Sequence, residues 1–176
     1  MIKRKAKNKK CKTNRGFSLF IAVAIMGVLL FVSFAAVNVA LKSTLFSSSG
    51  RDSQFAFYAA DAGIECVLYW DSKFEPSKFA TSTAGTITCA TQTISTGSQT
   101  VPTNPTQSSR VGGGGAGNPT SIFYFNLNQG TNPTSACAIV SVTKNINGTT
   151  FIRSRGYNTC DTTNPRRVER GIEVTY

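Results

Sequence analysis

The chain has 176 residues and a formal net charge of +11, from 19 Lys and Arg against 8 Asp and Glu, and it contains no His. The missing His excludes Ser–His and Cys–His nucleophilic systems, and no carboxylate pair carries a catalytic motif, so we expect neither catalysis nor a cofactor. Eight of the cations lie in residues 1–16, which hold no acid. The basicity therefore does not by itself indicate nucleic-acid binding.

An uncharged apolar run of 25 residues, 17–41, directly follows that basic segment. At about 1.5 Å per residue, such a helix is roughly 37 Å long and can cross a hydrocarbon core of about 30 Å. The basic segment favours a cytoplasmic N-terminus, so we expect the chain beyond Lys42 to be exported. A cleaved secretory signal fits less well, because its apolar region is shorter and ends in a small-x-small site, which residues 42–46 lack.

The junction RGFSL, residues 15–19, distinguishes the chain from an ordinary uncleaved signal anchor. It resembles the class III signal of the type IV pilin and pseudopilin family, in which a basic leader ends in Gly, followed by Phe or Met and a spanning helix. The resemblance implies that a prepilin peptidase cuts between Gly16 and Phe17 and that Phe17 becomes N-methylated. Removal of the leader would leave 11 Lys and Arg against 8 acids, a net charge of +3.

The same resemblance implies an assembly role for the run 17–41. It would first hold the protein in the inner membrane and then pack beside the helices of other pilin subunits. The assembly helix would begin with Phe17, Ser18, Leu19, Phe20 and Ile21. Most pilins have a glutamate at the position of Ile21, where it meets the N-terminal amine of a neighbour. Its absence favours a minor subunit of the tip or initiation complex, and simple drift is the alternative.

A helical pattern continues through residues 42–71. Six residues recur there at spacings of three and four: Leu45, Phe55, Ala59, Ala62, Cys66 and Tyr69. This stripe predicts one face packed on a globular domain. The poor helix formers at 47–50 predict a kink, a melted stretch or only a weak turn of helix. The block FAFYAADAGIE, 55–65, is similar to the A-A-E-A block of PilX-type minor pilins.

Residues 72–119 are rich in Ser, Thr, Gly, Asn and Pro and contain one predicted strand, 86–94. A loop region of this length tends to be functional or disordered, and pilins vary most in the corresponding region. The glycine-rich run 111–117 lacks the following Lys-Ser or Lys-Thr of a phosphate-binding loop, which favours a flexible loop.

Residues 120–176 predict a four-stranded antiparallel sheet. The predicted strands are 121–127, 136–145, 149–157 and 166–176, with Asn147-Gly148 as a strong hairpin signal between the second and the third. Alternation in the last strand places Arg170, Ile172 and Val174 on one face. A long helix followed by this sheet is an α+β order, similar to that of pilins.

Four cysteines remain once Cys11 is removed with the leader: Cys66, Cys89, Cys137 and Cys160. An even number in an exported domain predicts two disulfides, with three possible connectivities. The hairpin places Cys137 opposite about residue 157 or 158, within reach of Cys160, which leaves Cys66 to pair with Cys89. Because the chain has no Cys-x-x-Cys pair and no His, we expect no metal site.

Arginines form the candidate binding surface. Arg153 and Arg155 share a strand face. Three more belong to the neighbouring predicted strand: Arg166, Arg167 and Arg170. Together they predict a basic patch for DNA or an acidic surface, and dispersed solvated charge is the alternative. The sequence thus predicts a single-pass inner-membrane protein that enters an extracellular type IV pilus or pseudopilus. A membrane-anchored module for DNA uptake or surface adhesion is the alternative.

Overall fold

The computed structural model describes residues 15–104, 106–117, 119–127 and 135–176. Residues 1–14 of the predicted leader, with Cys11, lie outside the described residues. The elements are α1 (Arg15–Ser72), β1 (Thr86–Cys89), β2 (Gln92–Ser95), β3 (Pro119–Asn126), β4 (Cys137–Lys144), β5 (Thr150–Tyr157) and β6 (Glu169–Thr175). The chain divides after Ser47 into two compact units.

In the first unit, α1 exposes its apolar run. Every residue from 17 to 47 is exposed, and the most apolar stretch of α1 has a mean hydropathy of 2.8. By length and composition, the described chain therefore has one helix that is a candidate membrane span. Residues 47–50 are helical, so the melted stretch that was one of the predicted alternatives is not observed.

In the second unit, the last turns of α1 pack on a four-stranded antiparallel sheet of order β3-β4-β5-β6. The β4–β5 hairpin places Cys137 opposite Tyr157, which is one of the two registers that the sequence left open. The β1 and β2 strands form a separate two-stranded sheet. The α+β fold class is thus confirmed.

Two strand predictions were wrong in their bounds. The strand predicted at 86–94 is a hairpin, because Ala90 and Thr91 adopt φ angles of 45° and 67° and reverse the chain. No Asn-Gly or Asp-Gly marks this turn, so the sequence carries no hairpin signal there. The last strand begins at Glu169 and not at residue 166, because the Arg167 N–H bonds to the Asn164 carbonyl in a preceding turn.

The helix contacts the sheet through small residues. The buried positions recur with helical spacing: Ala56, Ala59, Ala60, Gly63, Ile64 and Val67. The predicted stripe was wrong for its three largest members, because Leu45, Phe55 and Tyr69 are 62%, 50% and 48% exposed. The sheet approaches the helix so closely at Gly156 that a large side chain has no room between them.

The core of the second unit occupies both faces of the sheet. The larger cluster lies between α1 and the sheet and includes Phe79, which stacks on Phe123 with ring centroids 6.1 Å apart. The smaller cluster lies on the opposite face and contains Val101, Ile139 and Tyr157. Since Phe79 and Val101 come from the region predicted as loop, this region contributes to both clusters.

The glycine-rich run is packed and hydrogen-bonded, so the prediction of a flexible loop was wrong. The Val111 carbonyl accepts from the Gly85 N–H at 2.6 Å, and the Gly113 N–H donates to the Ala80 carbonyl at 2.8 Å. A Cβ at Gly112 would lie 2.4 Å from the Thr83 carbonyl oxygen, and φ there is 68°. Glycine is required at this position because no other residue tolerates both conditions.

Gly63 of α1 lies against Ser154 of β5, and this contact gives a test of the packing. A Cβ at Gly63 would lie 2.1 Å from Ser154 Oγ and 2.8 Å from Val140 Cγ2. We expect Gly63→Ala to lower the free energy of unfolding by about 2 kcal/mol. Within the described residues the buried Ser154 hydroxyl has no hydrogen-bond partner. Ser154→Ala should therefore change stability by less than about 1 kcal/mol.

The double variant Gly63→Ala/Ser154→Ala separates this contact from general loss of packing. It should recover part of the loss caused by Gly63→Ala, because the closest clashing atom is gone. Urea denaturation of the wild type, both single variants and the double variant measures the coupling. Strictly additive losses would contradict the contact.

Candidate functional site

The predicted processing site lies in the first turn of α1. The helix begins at Arg15, and Gly16 and Phe17 are its next two residues. Beyond them, the predicted assembly residues expose large apolar side chains: Phe17 67%, Leu19 71%, Phe20 71% and Ile21 42%. Water is an unfavourable environment for a contiguous apolar surface of this size. The segment therefore requires lipid or another apolar surface around it.

Polar side chains in the apolar run bond to their own helix. Ser33 Oγ donates to the Leu29 carbonyl at 2.8 Å, and Asn38 Nδ2 donates to the Phe34 carbonyl at 3.1 Å. Each of these bonds reaches back four residues. Because a polar group in hydrocarbon is costly unless bonded, this local satisfaction makes the segment compatible with a bilayer.

Both disulfides have the predicted pairing. Cys66 bonds to Cys89 and Cys137 bonds to Cys160, with Cα atoms 5.9 Å and 5.7 Å apart. The first bridge ties α1 to β1, and the second ties the start of β4 to the segment after β5. Disulfides persist in oxidising compartments, which agrees with an exported second unit.

The predicted basic patch does not form a single surface. Arg153 and Arg155 lie on the face of β5 away from α1, and Arg153 pairs with Glu173 on β6. Arg170 lies on the other face of the sheet, because it is opposite Gly156, and its Nε donates to Ser53 Oγ of α1 at 2.9 Å. The face of Arg170 depends on the β5–β6 register, which strand alternation alone does not fix.

The other two predicted patch residues lie before β6. Arg166 is exposed in the turn, and its N–H bonds to Asn164 Oδ1. The Arg167 guanidinium stacks on the Tyr157 ring at 3.7 Å, and its Nε donates to the Thr159 carbonyl at 3.3 Å. Arg167 thus packs on the smaller core cluster, and the five arginines do not converge on one ligand.

A charged cluster that the sequence analysis missed joins the end of α1 to the sheet. Asp71 lies in the last turn of the helix, and its carboxylate is 2.6 Å from Lys144 Nζ at the end of β4. The Tyr176 hydroxyl donates to Asp71 Oδ2 at 2.6 Å, and the Ser77 hydroxyl donates to Oδ1. A carboxylate is unfavourable at a helix C-terminus, so Lys144 provides the compensating charge. No sequence signal links residues 71 and 144, because only the fold brings them together.

This cluster holds Asp71 ionised. Burial raises the pKa of the carboxyl, but the hydrogen bonds from Lys144, Ser77 and Tyr176 outweigh it, so the pKa lies below its ordinary value. Burial and then the bond to Asp71 raise the pKa of the Tyr176 hydroxyl. The cluster therefore keeps the Asp71 carboxyl charged and the Tyr176 hydroxyl neutral across neutral pH, and it fastens the helix end to the sheet.

The lowered pKa of Asp71 predicts acid sensitivity. The contribution of Asp71 to the free energy of unfolding is fully present above the ordinary carboxyl pKa of about 3.9. It is lost as pH falls towards the lower pKa that Asp71 has in the folded state. Asp71→Asn should cost about 2 kcal/mol at pH 7 and should flatten the loss of stability below pH 4. Urea denaturation at pH 7 and pH 3 measures both effects. Asp61→Asn, at an exposed helix position, is the control, and an equal flattening by it would contradict the assignment.

An open groove lies beside the Cys66–Cys89 disulfide, with a volume of about 580 Å³. Its walls include Tyr69, Trp70 and Phe125, and the exposed Glu65 contributes a carboxylate. Among the described residues, no group of three or more His, Cys, Asp or Glu is placed to hold a metal ion. No family profile, no curated protein and no solved structure matches this chain.

Proposed function

We propose that the protein is a minor pilin-like subunit, held in the inner membrane by residues 17–41 and then assembled into a type IV pilus or pseudopilus. The junction between Gly16 and Phe17 carries the proposal, because a basic segment there meets an apolar run that is long enough to span a bilayer. The run would remain after cleavage and would mediate assembly. The protein would act in initiation of the fibre or at its tip, since Ile21 offers no charge to a neighbouring N-terminus.

Three structural features support this proposal. The α+β fold places a helix on an antiparallel sheet, two disulfides fit an exported domain, and the exposed apolar helix needs a lipid or protein environment. The alternative, a membrane-anchored module for DNA or surface binding, relied on a shared basic patch. Because Arg170 lies on the face opposite Arg153 and Arg155, the patch on which that alternative relied loses at least one of its five arginines.

Processing of the leader gives the direct test. We expect N-terminal sequencing of the mature protein from membranes to begin FSLF, because the peptidase cuts before the apolar run. Gly16→Val should leave the precursor uncut. Gly27→Val is the matched control, because Gly27 lies within the same helix and has open space around its Cβ position. This variant should be processed normally.

The outcomes also separate the two functions. A mature protein that keeps its leader, or that starts beyond Leu41, would overturn the pilin proposal. If processing occurs as expected, a deletion strain distinguishes the roles. Loss of fibres supports assembly, whereas normal fibres with lost DNA uptake or adhesion would favour the binding module.

A further inference from the structure

The two edges of the four-stranded sheet differ in how their backbone groups are used. At the β3 edge, Ile122 exchanges two backbone hydrogen bonds with Arg110, at 2.7 Å and 2.8 Å. Further along, the Asn126 N–H and carbonyl bond to the side-chain amide of Gln92. The chain thus covers this edge with its own groups, which is how proteins commonly protect an edge strand.

The β6 edge is not covered by another strand of the described chain, although the Glu169 carbonyl accepts from Arg170 Nη1 at 3.4 Å. Tyr176 and Thr150 exchange both backbone hydrogen bonds, at 2.8 Å and 3.1 Å, so the even-numbered residues of β6 bond to β5. The alternation of an antiparallel ladder then directs four residues outward: Glu169, Gly171, Glu173 and Thr175. Within the described chain, no backbone group pairs with the outward N–H groups of these residues. Seven residues of β6 therefore offer a template for another strand.

An apolar side of α1 flanks this open edge. Phe57 and Leu68 are 49% and 37% exposed. Two hydrogen bonds join α1 to the β6 side of the sheet, one from Arg170 to Ser53 and one from Tyr176 to Asp71. Phe57 and Leu68 lie between these two points along the helix. Phe57 and Ile64 are seven residues apart, and Ile64 and Leu68 are four apart, so all three lie on one side of the helix. The open strand and the apolar helix side together border one groove.

We propose that this groove binds an extended segment of a different polypeptide, which adds a fifth strand beside β6. Backbone groups of the segment would pair with the outward groups of β6, and its alternate apolar side chains would cover Phe57 and Leu68. Arg170, at the start of β6, favours an acidic residue in the segment next to it. The partner is defined by this pattern, namely alternating apolar residues with an acid at one end.

A second copy of this chain fits the groove less well. Arg170 lies beside Ser53 and Tyr176 lies beside Asp71, so β6 runs in the same direction as α1. An antiparallel β6–β6 pair would point the two helices in opposite directions. The second copy would direct Arg170, Ile172 and Val174 to the α1 side of the joined sheet, so it would offer no acidic residue to Arg170. A parallel pair would instead place the polar Glu169 and Glu173 over the apolar helix side.

Photo-crosslinking in cells tests the proposal with the full chain. The photoreactive residue p-benzoylphenylalanine would replace Phe57 or Leu68, and irradiation should give an adduct with a different polypeptide. Mass spectrometry of the adduct should map the linked site to a segment with alternating apolar residues. Tyr58, on another side of the helix and 60% exposed, is the control position and should give at least tenfold less of that adduct.

Gly171 provides a matched pair of variants for the backbone pairing. Gly171→Pro removes one outward N–H without touching the bonds to β5, and proline is tolerated at such edge positions. Gly171→Ala keeps the N–H, and its Cβ would meet only the Ser154 carbonyl oxygen at 3.9 Å. We expect Gly171→Pro to reduce the Phe57 adduct at least tenfold and Gly171→Ala to leave it unchanged. Thr175→Pro and Thr175→Ala form a second pair in case Gly171→Pro unfolds.

Several results would overturn the inference: no adduct, an adduct between two copies of this chain, equal yields from Tyr58, or an adduct that both proline variants retain. Leader processing and membrane fractionation in the same cells report separately on the proposed function. A processed, membrane-located protein without the adduct would refute the groove alone. An adduct formed by protein with an intact leader would refute the pilin assignment and leave the groove supported.

Discussion

Gly156→Ala is expected to prevent stable folding of the second unit. A Cβ at this position would lie 2.0 Å from the Ala56 carbonyl oxygen and 2.2 Å from the Ala60 nitrogen. Both atoms belong to helix backbone, so no side-chain rotation can relieve the clash. The sheet would have to move away from α1 along the whole contact. We expect a loss of more than about 3 kcal/mol, a large share of the roughly 5 to 15 kcal/mol that stabilises a typical domain.

Urea denaturation of the purified full chain in detergent measures this effect. Gly171→Ala is the matched control, because it makes the same chemical change on the adjacent strand, where the new methyl group has room. The control should remain within about 0.5 kcal/mol of the wild type. A Gly156→Ala protein as stable as this control would show that helix and sheet are further apart than the structure has them.

Loss of either disulfide is expected to have the second-largest effect. Each bridge joins residues 23 positions apart, and closing a loop of that length is worth about 3.5 kcal/mol in the chain-entropy description. Cys66→Ala/Cys89→Ala and Cys137→Ala/Cys160→Ala should therefore be destabilised by similar amounts. Their accessibility differs at one sulfur, because Cys66 is only partly buried beside an open groove, whereas Cys89, Cys137 and Cys160 are buried.

The difference in accessibility gives a second readout of the same prediction. Under native conditions, dithiothreitol should reduce the Cys66–Cys89 bridge first, and the Cys137–Cys160 bridge should resist until the unit unfolds. Peptide mapping after timed alkylation shows the order. Thermal midpoints of the two double variants give the stability comparison, with the wild type as reference. The reverse order of reduction would contradict the burial of the second bridge.

The disulfide pairing was predictable because it depends on local geometry. Asn147-Gly148 marks the turn, and the turn limits the residue opposite Cys137 to 157 or 158. From either register, Cys137 comes close to Cys160, and the remaining pair follows. A short hairpin needs no information from distant parts of the chain, so alternation and one turn signal were enough for this part of the fold.

The buried face of α1 was not predictable in the same way. A periodicity argument gives weight to large apolar residues, and it selected Phe55 and Tyr69, which are half exposed. Four of the six buried residues on the true contact face are Ala or Gly, whose weak hydrophobicity carries little periodic signal. Its position depends on Gly156, about a hundred residues further along the chain. The prediction that Arg170 shares a patch with Arg153 and Arg155 was wrong for a related reason, since the face of Arg170 is set by the pairing of β6 with β5.

The hydrogen bonds within the apolar part of α1 have a consequence for movement between environments. Ser33 and Asn38 each donate one hydrogen bond to a carbonyl of their own helix, so these two bonds need no acceptor from lipid, water or a neighbouring protein. Both bonds can persist when the surroundings of the helix change. The amide oxygen and the second N–H of Asn38 are not used in its bond to Phe34. A protein neighbour that packs beside Asn38 therefore fits best where it offers polar atoms to this amide.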